Sequence, residues 1–247
     1  MCGRFVMTTD PASLAVKIAA IDEVTGASGA SAHADYSARA NYNVAPTTPI
    51  TTVVARHGEP GDDPTRRVRL MRWGLLPPWV KPGPDGAPDT RGPLLINARA
   101  ETVATSPAFR NSAHSRRALV PMDGWYEWRP DPDTGKSPKT PFFMHRGDGG
   151  MLFMAGLWSA WKPSGDADPL WSCAIITTEA VGELAEVHHR MPYILAEEAW
   201  DPWLDPDAPL DPELLAGPPD VRGVEVRRVS TLVNSVGNNG PELLDPV

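Results

Sequence analysis

The chain has little cysteine, no long apolar run and no excess of basic charge, and each absence removes a class of function. Two cysteines in 247 residues, Cys2 and Cys173, are too few for a disulfide framework or a cysteine-built zinc site. No run of 18 apolar residues occurs, so nothing is expected to span a membrane. The start lacks the basic-then-apolar pattern of a secretory signal, which makes the cytoplasm the expected compartment, with nucleoid association if the source is bacterial. The net charge is −8, against the overall basic footprint of many nucleic-acid binders. There is no Gly-x-Ser-x-Gly elbow, no phosphate-binding glycine loop and no His/Glu spacing on a helix, so neither a cofactor nor a metal is expected.

What is present is a hydrophobic fraction of 41% with nine Trp, enough for a sizeable core. The 28 Pro and 21 Gly fall largely in loops, at 26–40 and 81–93 above all, and these read as insertions rather than linkers. Asp10-Pro11 reads as the cap and first turn of a helix carrying Leu14, Ile18 and Ile21 on one face. Strands are expected at 50–55, 67–73, 117–121, 142–145, 152–161, 171–177 and 224–229. A helical turn is expected over 101–110, a helix from Thr178 to about Val187, and two short helices near 195–204 and 211 onward. Short strands dominate, with neither repeats nor a βαβ rhythm. The expected fold is α+β: a single β-rich domain over 1–247, with mixed or antiparallel sheets and short peripheral helices.

Acidic residues cluster with proline at 59–63, 131–133 and 201–211, whereas arginines fall beside motif-like stretches, at Arg4, Arg72, Arg99, Arg110, Arg116, Arg117, Arg129 and Arg190. A local positive face on an acidic protein is compatible with this. Cys2 carries the most distinctive chemistry. Once Met1 is removed it bears a thiol and an α-amine on adjacent carbons, both usable near neutral pH. Such a 1,2-aminothiol adds to an aldehyde as an imine and then closes to a thiazolidine. Cys2 as a small packed hydrophobe is the plainer alternative. Glu127, among Trp125, Tyr126 and Trp128, reads as a desolvated carboxyl suited to proton transfer or as an exposed charge on an alternating strand. Asn97 reads as a site amide or as a helix cap. His188, in His188-His189-Arg190-Met191-Pro192, reads as an acid or base or as a polar helix end. Cys173 reads as buried and inert.

Taken together and in order, these stretches resemble the SRAP family, abasic-site processing proteins that crosslink themselves to damaged DNA. The resemblance rests on Met1-Cys2-Gly3-Arg4-Phe5, Tyr42-Asn43-Val44-Ala45-Pro46, Arg72-Trp73-Gly74-Leu75 and Ile96 to Thr102. It continues through Val120 to Trp128, Ala155-Gly156-Leu157-Trp158, Ile175 to Thr178 and His188 to Pro192. The resemblance implies catalytic roles for Cys2, Asn97, Glu127 and His188, with single-stranded DNA carrying an abasic site as partner and a covalent adduct as product. It implies phosphate contacts from Arg4, Arg99 and Arg190, a wedge of Pro46 and Trp128, and a further platform at Trp79. It also implies release of Met1, by self-cleavage or by an aminopeptidase, and a lyase branch. The sequence departs from the family at Pro107, where some relatives are basic, and at Val80, where some have a second Trp. Nothing suggests a dimer seam, so a monomer is expected. Two other readings use the same residues: a peptidase whose N-terminal Cys2 thiol is the nucleophile, and a non-catalytic DNA-binding domain in which Cys2 is incidental.

Overall fold

The computed structural model describes residues 2–25, 40–130, 139–162 and 168–247. Its strands are, in chain order, β1 (Phe5–Met7), β2 (Ile21–Asp22), β3 (Asn41–Val44), β4 (Pro49–Arg56), β5 (Thr65–Trp73), β6 (Asn97–Arg99) and β7 (Arg117–Met122). They continue with β8 (Gly124–Arg129), β9 (Thr140–Arg146), β10 (Leu152–Trp161), β11 (Leu170–Glu179), β12 (Arg190–Pro192) and β13 (Val224–Arg228). The helices are short: α1 (Pro11–Lys17), α2 (Arg110–Ser115), α3 (Leu184–Val187), α4 (Trp200–Leu204) and α5 (Glu213–Ala216).

Two sheets result. The smaller is antiparallel throughout, in the order β13-β9-β8-β1-β3. The larger follows β12-β11-β10-β7-β4-β5-β2 and is mixed, since β2 lies parallel to β5 and β6 parallel to β11. A further parallel pairing, Ser172 with Arg72 and Cys173 with Trp73, joins β11 to β5. That pairing links the two ends of the path β11-β10-β7-β4-β5, so the larger sheet curls into a partly closed barrel.

Strand alternation sorts the apolar residues into three layers. Ile50, Val54, Met71, Trp73, Val120, Met154 and Ile175 of the larger sheet meet Phe5, Val44, Trp125 and Met144 of the smaller one. The opposite face of the larger sheet, with Val53, Val68, Leu119, Phe153 and Ile176, lies under Leu14 of α1, Ala113 of α2 and Trp200 and Trp203 of α4. The outer face of the smaller sheet, Val6, Tyr126 and Phe143, is covered by Val229, Val233 and Leu243 near the C-terminus. The expected β-rich α+β arrangement with mixed sheets and short peripheral helices is the observed one.

Local differences have physical causes. The helix expected from Thr178 is strand at its start, because Thr177, Thr178 and Glu179 pair with Pro192, Met191 and Arg190; only Leu184–Val187 is helical. Ile21, expected on the first helix, lies in β2 and is largely exposed, since the helix ends at Lys17. Residues 101–109 form turns, and the helix begins only beyond Pro107, at Arg110. The stretch 81–93 is irregular, apart from a bridge between Pro82 and Pro88. The 26–40 insertion lies outside the described residues except for Ala40.

The crossing from one sheet to the other is made at Asp123. Its carboxylate accepts from Thr8 N–H and Thr8 Oγ1, both at 2.7 Å, and its own N–H donates to Val6 O at 2.9 Å. Gly124 follows, and a Cβ there would collide with the Met144 carbonyl and come within 2.6 Å of the Phe143 ring. Gly124→Ala is expected to cost about 1–3 kcal/mol through overpacking, or to prevent folding. Urea denaturation checks this; unchanged stability would show that β8 and β9 separate more easily than their packing implies.

Candidate active site

The start of the chain is drawn into the core. Phe5 pairs with Val44 on one side and Trp125 on the other, and its ring meets Trp73 edge-on at 5.0 Å. Cys2 is fully buried in the layer between the sheets. Asn97 Nδ2 donates to the Cys2 carbonyl at 2.8 Å, so β6 fixes the main chain at Cys2. The Asn97 Oδ1 atom is buried and has no hydrogen-bond partner among the described residues.

Glu127 is buried, on the same face of β8 as Trp125. Burial pushes its carboxyl up to about 7. The Cys2 thiol is pushed well above its ordinary range, first by burial and then by the Glu127 charge, while the Arg4 main-chain N–H acts the other way. Glu127 and Cys2 are therefore electrostatic neighbours. His188 follows α3, which is anchored by Leu184 and Val187 in the inter-sheet layer and packs against β8. Burial holds the His188 imidazole down to about 4. Its Nδ1 accepts from the fixed Arg190 N–H at 2.9 Å, with Arg190 O at 3.1 Å, so the neutral ring carries its proton on Nε2. The His189 ring stacks on it at 4.4 Å.

The six residues named for DNA contact have different surroundings. Arg99 is exposed on β6, two residues beyond Asn97 and on the same side. Arg4 Nη1 donates to Asn43 Oδ1 at 2.7 Å and to Val233 O at 3.0 Å, with the guanidinium 5.7 Å from the Trp128 ring centre. Trp128 is half-buried and its Nε1 donates to Asn234 Oδ1 at 2.6 Å, which sets the tilt of the indole. Pro46 lies two residues past Val44 and is followed by Thr47, a β-branched residue at φ 75° whose N–H donates to Trp73 O at 2.7 Å. Such a conformation stores on the order of 1–3 kcal/mol, and this turn carries it beside the start of the chain. Arg190 is 7% exposed and forks onto Glu101 at 2.6 and 3.0 Å, with Thr177 O at 2.6 Å. Its guanidinium braces β11 against the turn after β6 instead of facing solvent. Trp79 is 55% exposed on the loop after β5.

Sequence reasoning missed Asn43. It is buried, it accepts from Arg4, and its Nδ2 donates to Ser235 O and Asn238 O at 2.9 Å, fastening the C-terminal segment to β3. An amide inside a strand-like stretch was the available signal. Among the described residues no three His, Cys, Asp or Glu side chains converge as a metal site, and no helix is long and apolar enough to cross a membrane.

The two shifted groups oppose each other in the pH dependence of stability. Folding raises the proton affinity of Glu127, so its contribution falls as pH rises from the ordinary carboxyl range to about 7. Folding lowers that of His188, so its contribution rises from about pH 4 to the ordinary imidazole range. Glu127→Gln is expected to raise stability at pH 8, on the order of 3 kcal/mol at about 1.36 kcal/mol per pKa unit, and to leave the rising arm. His188→Asn is expected to leave the falling arm. Urea denaturation at several pH values reads both, and equal destabilisation of Glu127→Gln at pH 5 and pH 8 contradicts the burial account.

Known proteins share this sequence pattern and this fold. A family model described as SOS response associated peptidase (SRAP) matches residues 1–236. The abasic site processing protein YoqW of Bacillus subtilis (strain 168) is 38% identical over 209 residues, 83% of this chain and 85% of the relative. The abasic site processing protein YedK of Escherichia coli (strain K12) is 34% identical over 209 residues, 83% of this chain and 84% of the relative. A crystal structure of a protein from Bacteroides thetaiotaomicron shares the fold across 100% of both chains, with a TM-score of 0.77 and 23% identity. With the family model spanning nearly its whole length and relatives this similar, the chain belongs to the SRAP family.

Proposed function

We propose that this protein processes abasic sites in single-stranded DNA by capturing the ring-opened sugar on Cys2. The observation that carries the reading is that Cys2 and Glu127 are both buried and feel each other electrostatically, with the Glu127 carboxyl pushed up to about 7. Support comes also from relatives that are abasic site processing proteins.

The mechanism starts with release of Met1, a hydrolysis for which Glu127 can direct the water. His188, neutral and with its proton on Nε2, donates a hydrogen bond to the sugar ring oxygen as the ring opens; a neutral imidazole serves here as an electrophile. The α-amine of Cys2 adds to the C1′ aldehyde, and the carbinolamine loses one water to give an imine. The thiol then adds to the imine carbon. Its proton passes through Glu127 to the ring nitrogen, so one S–C and one N–C bond hold the sugar and one water has been lost. Asn97 keeps the Cys2 carbonyl, and with it the amine, in place throughout. Cleavage of the 3′ phosphate from the imine before the thiol closes is the lyase branch.

A thiol held protonated by burial suits an order in which the amine is the first nucleophile. In the proposed order the amine attacks first and the thiol is deprotonated only as it adds. Arg99 and Arg4 are suited to the strand's phosphates, and Pro46 and Trp128 to flanking bases. Arg190 reaches a phosphate only by giving up Glu101. Trp79 offers an exposed ring for a base. The protein acts as a monomer.

The test is a denaturing gel with single-stranded DNA carrying one abasic site. Wild type, with Met1 absent by intact mass, is expected to give an adduct that survives heat and detergent, and Cys2→Ala is expected to give none. Glu127→Gln is expected to slow adduct formation by 10²-fold or more, a typical share for general acid–base catalysis. The wild-type rate is expected to climb with pH through about 7, as Glu127 and the amine lose protons. Equal adduct from Cys2→Ala, or none from wild type lacking Met1, overturns the reading.

A further inference from the structure

One cluster lies outside the proposed chemistry. Arg56, Arg69, Arg116, Trp158 and Trp171 come from or adjoin five strands, and alternation puts them all on the inner face of the larger sheet. Arg56 shares its face of β4 with Ile50 and Val54, and Arg69 shares its face of β5 with Met71 and Trp73. Arg116 precedes Ala118 and Val120, Trp158 follows Met154, and Trp171 precedes Cys173 and Ile175. The end of β4 and of β10 and the start of β5, β7 and β11 all lie at one end of this path. The five side chains therefore ring one mouth of the partly closed barrel. Trp171 lies four residues before Ile175, the partner of Asn97, so the ring is about 13 Å along β11 from the level of the site.

Guanidiniums and indoles alternate around the ring. Arg69 lies 4.3 Å from the Trp171 ring centre and Arg56 lies 5.2 Å from it. Arg56 is 5.8 Å and Arg116 5.6 Å from the Trp158 ring centre, and the two indoles are 5.0 Å apart. Cation–π stacking explains this packing. It does not explain the charge. Among the described residues the ion-pairing carboxylate here is Glu23, shared between Arg67, at 2.7 Å, and Arg69. Arg69 Nη1 and Arg67 Nε are buried without a hydrogen-bond partner among the described residues, an arrangement that is costly for each orphaned donor. Burial and then the Arg69 and Arg67 cations hold the Arg56 guanidinium below its ordinary range, with Glu23 opposing. Three guanidiniums gathered at one mouth of a chain of net charge −8 suit an anion.

We propose that this mouth is a second nucleic-acid contact, taking phosphates of an undamaged part of the same single strand while Cys2 holds the lesion. Guanidiniums fixed by stacking present paired N–H groups that fit phosphate oxygens, and indole edges at the same mouth suit bases. An acidic peptide offers no base to the indoles, so nucleic acid is the better fit. The proposal rests on the DNA-binding reading above and is tested apart from its chemistry.

Equilibrium binding of undamaged single-stranded oligonucleotide is measured in a Cys2→Ala background, with and without Arg56→Gln plus Arg116→Gln. Glutamine keeps methylenes against the indoles and removes the charge. The double variant is expected to bind about tenfold more weakly at low salt, and its log–log salt slope is expected to shrink by about 1.4, two phosphates at about 0.7 each. Arg56→Gln alone is expected to shrink the slope by about 0.7 and serves if the double variant unfolds. Adduct formation with an abasic trinucleotide, too short to reach the mouth, is expected to stay unchanged when the arginine variants retain Cys2. Unchanged affinity and slope in a variant with wild-type Tm overturns the proposal, as does poly-glutamate competing as well as nucleic acid. Failure of adduct formation in every protein, with the binding loss intact, rejects the capture chemistry and leaves this contact standing.

Discussion

The constraint on which the rest depends is that the second residue of the chain sits in the middle of its core. Chain ends are ordinarily frayed and exposed. Here Cys2 is fully buried, Phe5 is locked between two strands and against Trp73, and Asn97 reaches across from β6 to hold the Cys2 carbonyl. The two sheets, the barrel-closing pairing of β5 with β11, and the Asp123 corner that delivers β8 to the smaller sheet all converge on that point. A residue ordered this way has little conformational freedom left to lose, which is what the proposed chemistry asks of Cys2.

Burial also sets the electrostatics. The same low-polarity layer that orders Cys2 keeps its thiol protonated, brings the Glu127 carboxyl near neutrality and keeps the His188 imidazole neutral. In the proposed chemistry each of these is useful. The amine is left to attack first, the carboxyl can both take and return a proton near pH 7, and the imidazole can polarise an oxygen without competing for charge. For stability, a buried Glu127 is a liability once pH rises past about 7.

Much of this was legible in the sequence wherever alternation or a local signal decided the matter. The β-branched run in β4, the alternating β10 and β11 and the Asp10-Pro11 start of α1 are local features. The short strands β2, β3 and β6 were not, because each exists only through a distant partner: β6 is a strand because β11 lies beside it. Asn97 stayed ambiguous between cap and site for the same reason, since its hydrogen bond spans 95 residues. The arginines show the limit most clearly. Nothing adjacent in sequence names the partners of Arg4 or Arg190, which are Asn43 and Val233 for one and Glu101, 89 residues away, for the other. The mouth formed by Arg56, Arg69 and Arg116 has no linear signature at all, because closure of the barrel assembles it.

The central claim is that both groups of Cys2, amine and thiol, bond to the sugar. The most direct measurement uses the fact that the chain has two cysteines. After reaction with abasic DNA, nuclease trimming and denaturation, the protein is treated with iodoacetamide and its peptides are weighed. The account predicts an N-terminal peptide that begins at Cys2, carries the sugar remnant and resists alkylation, while Cys173 is alkylated. A sugar-bearing peptide whose Cys2 thiol is still alkylated, or a remnant carried by a lysine instead, contradicts it.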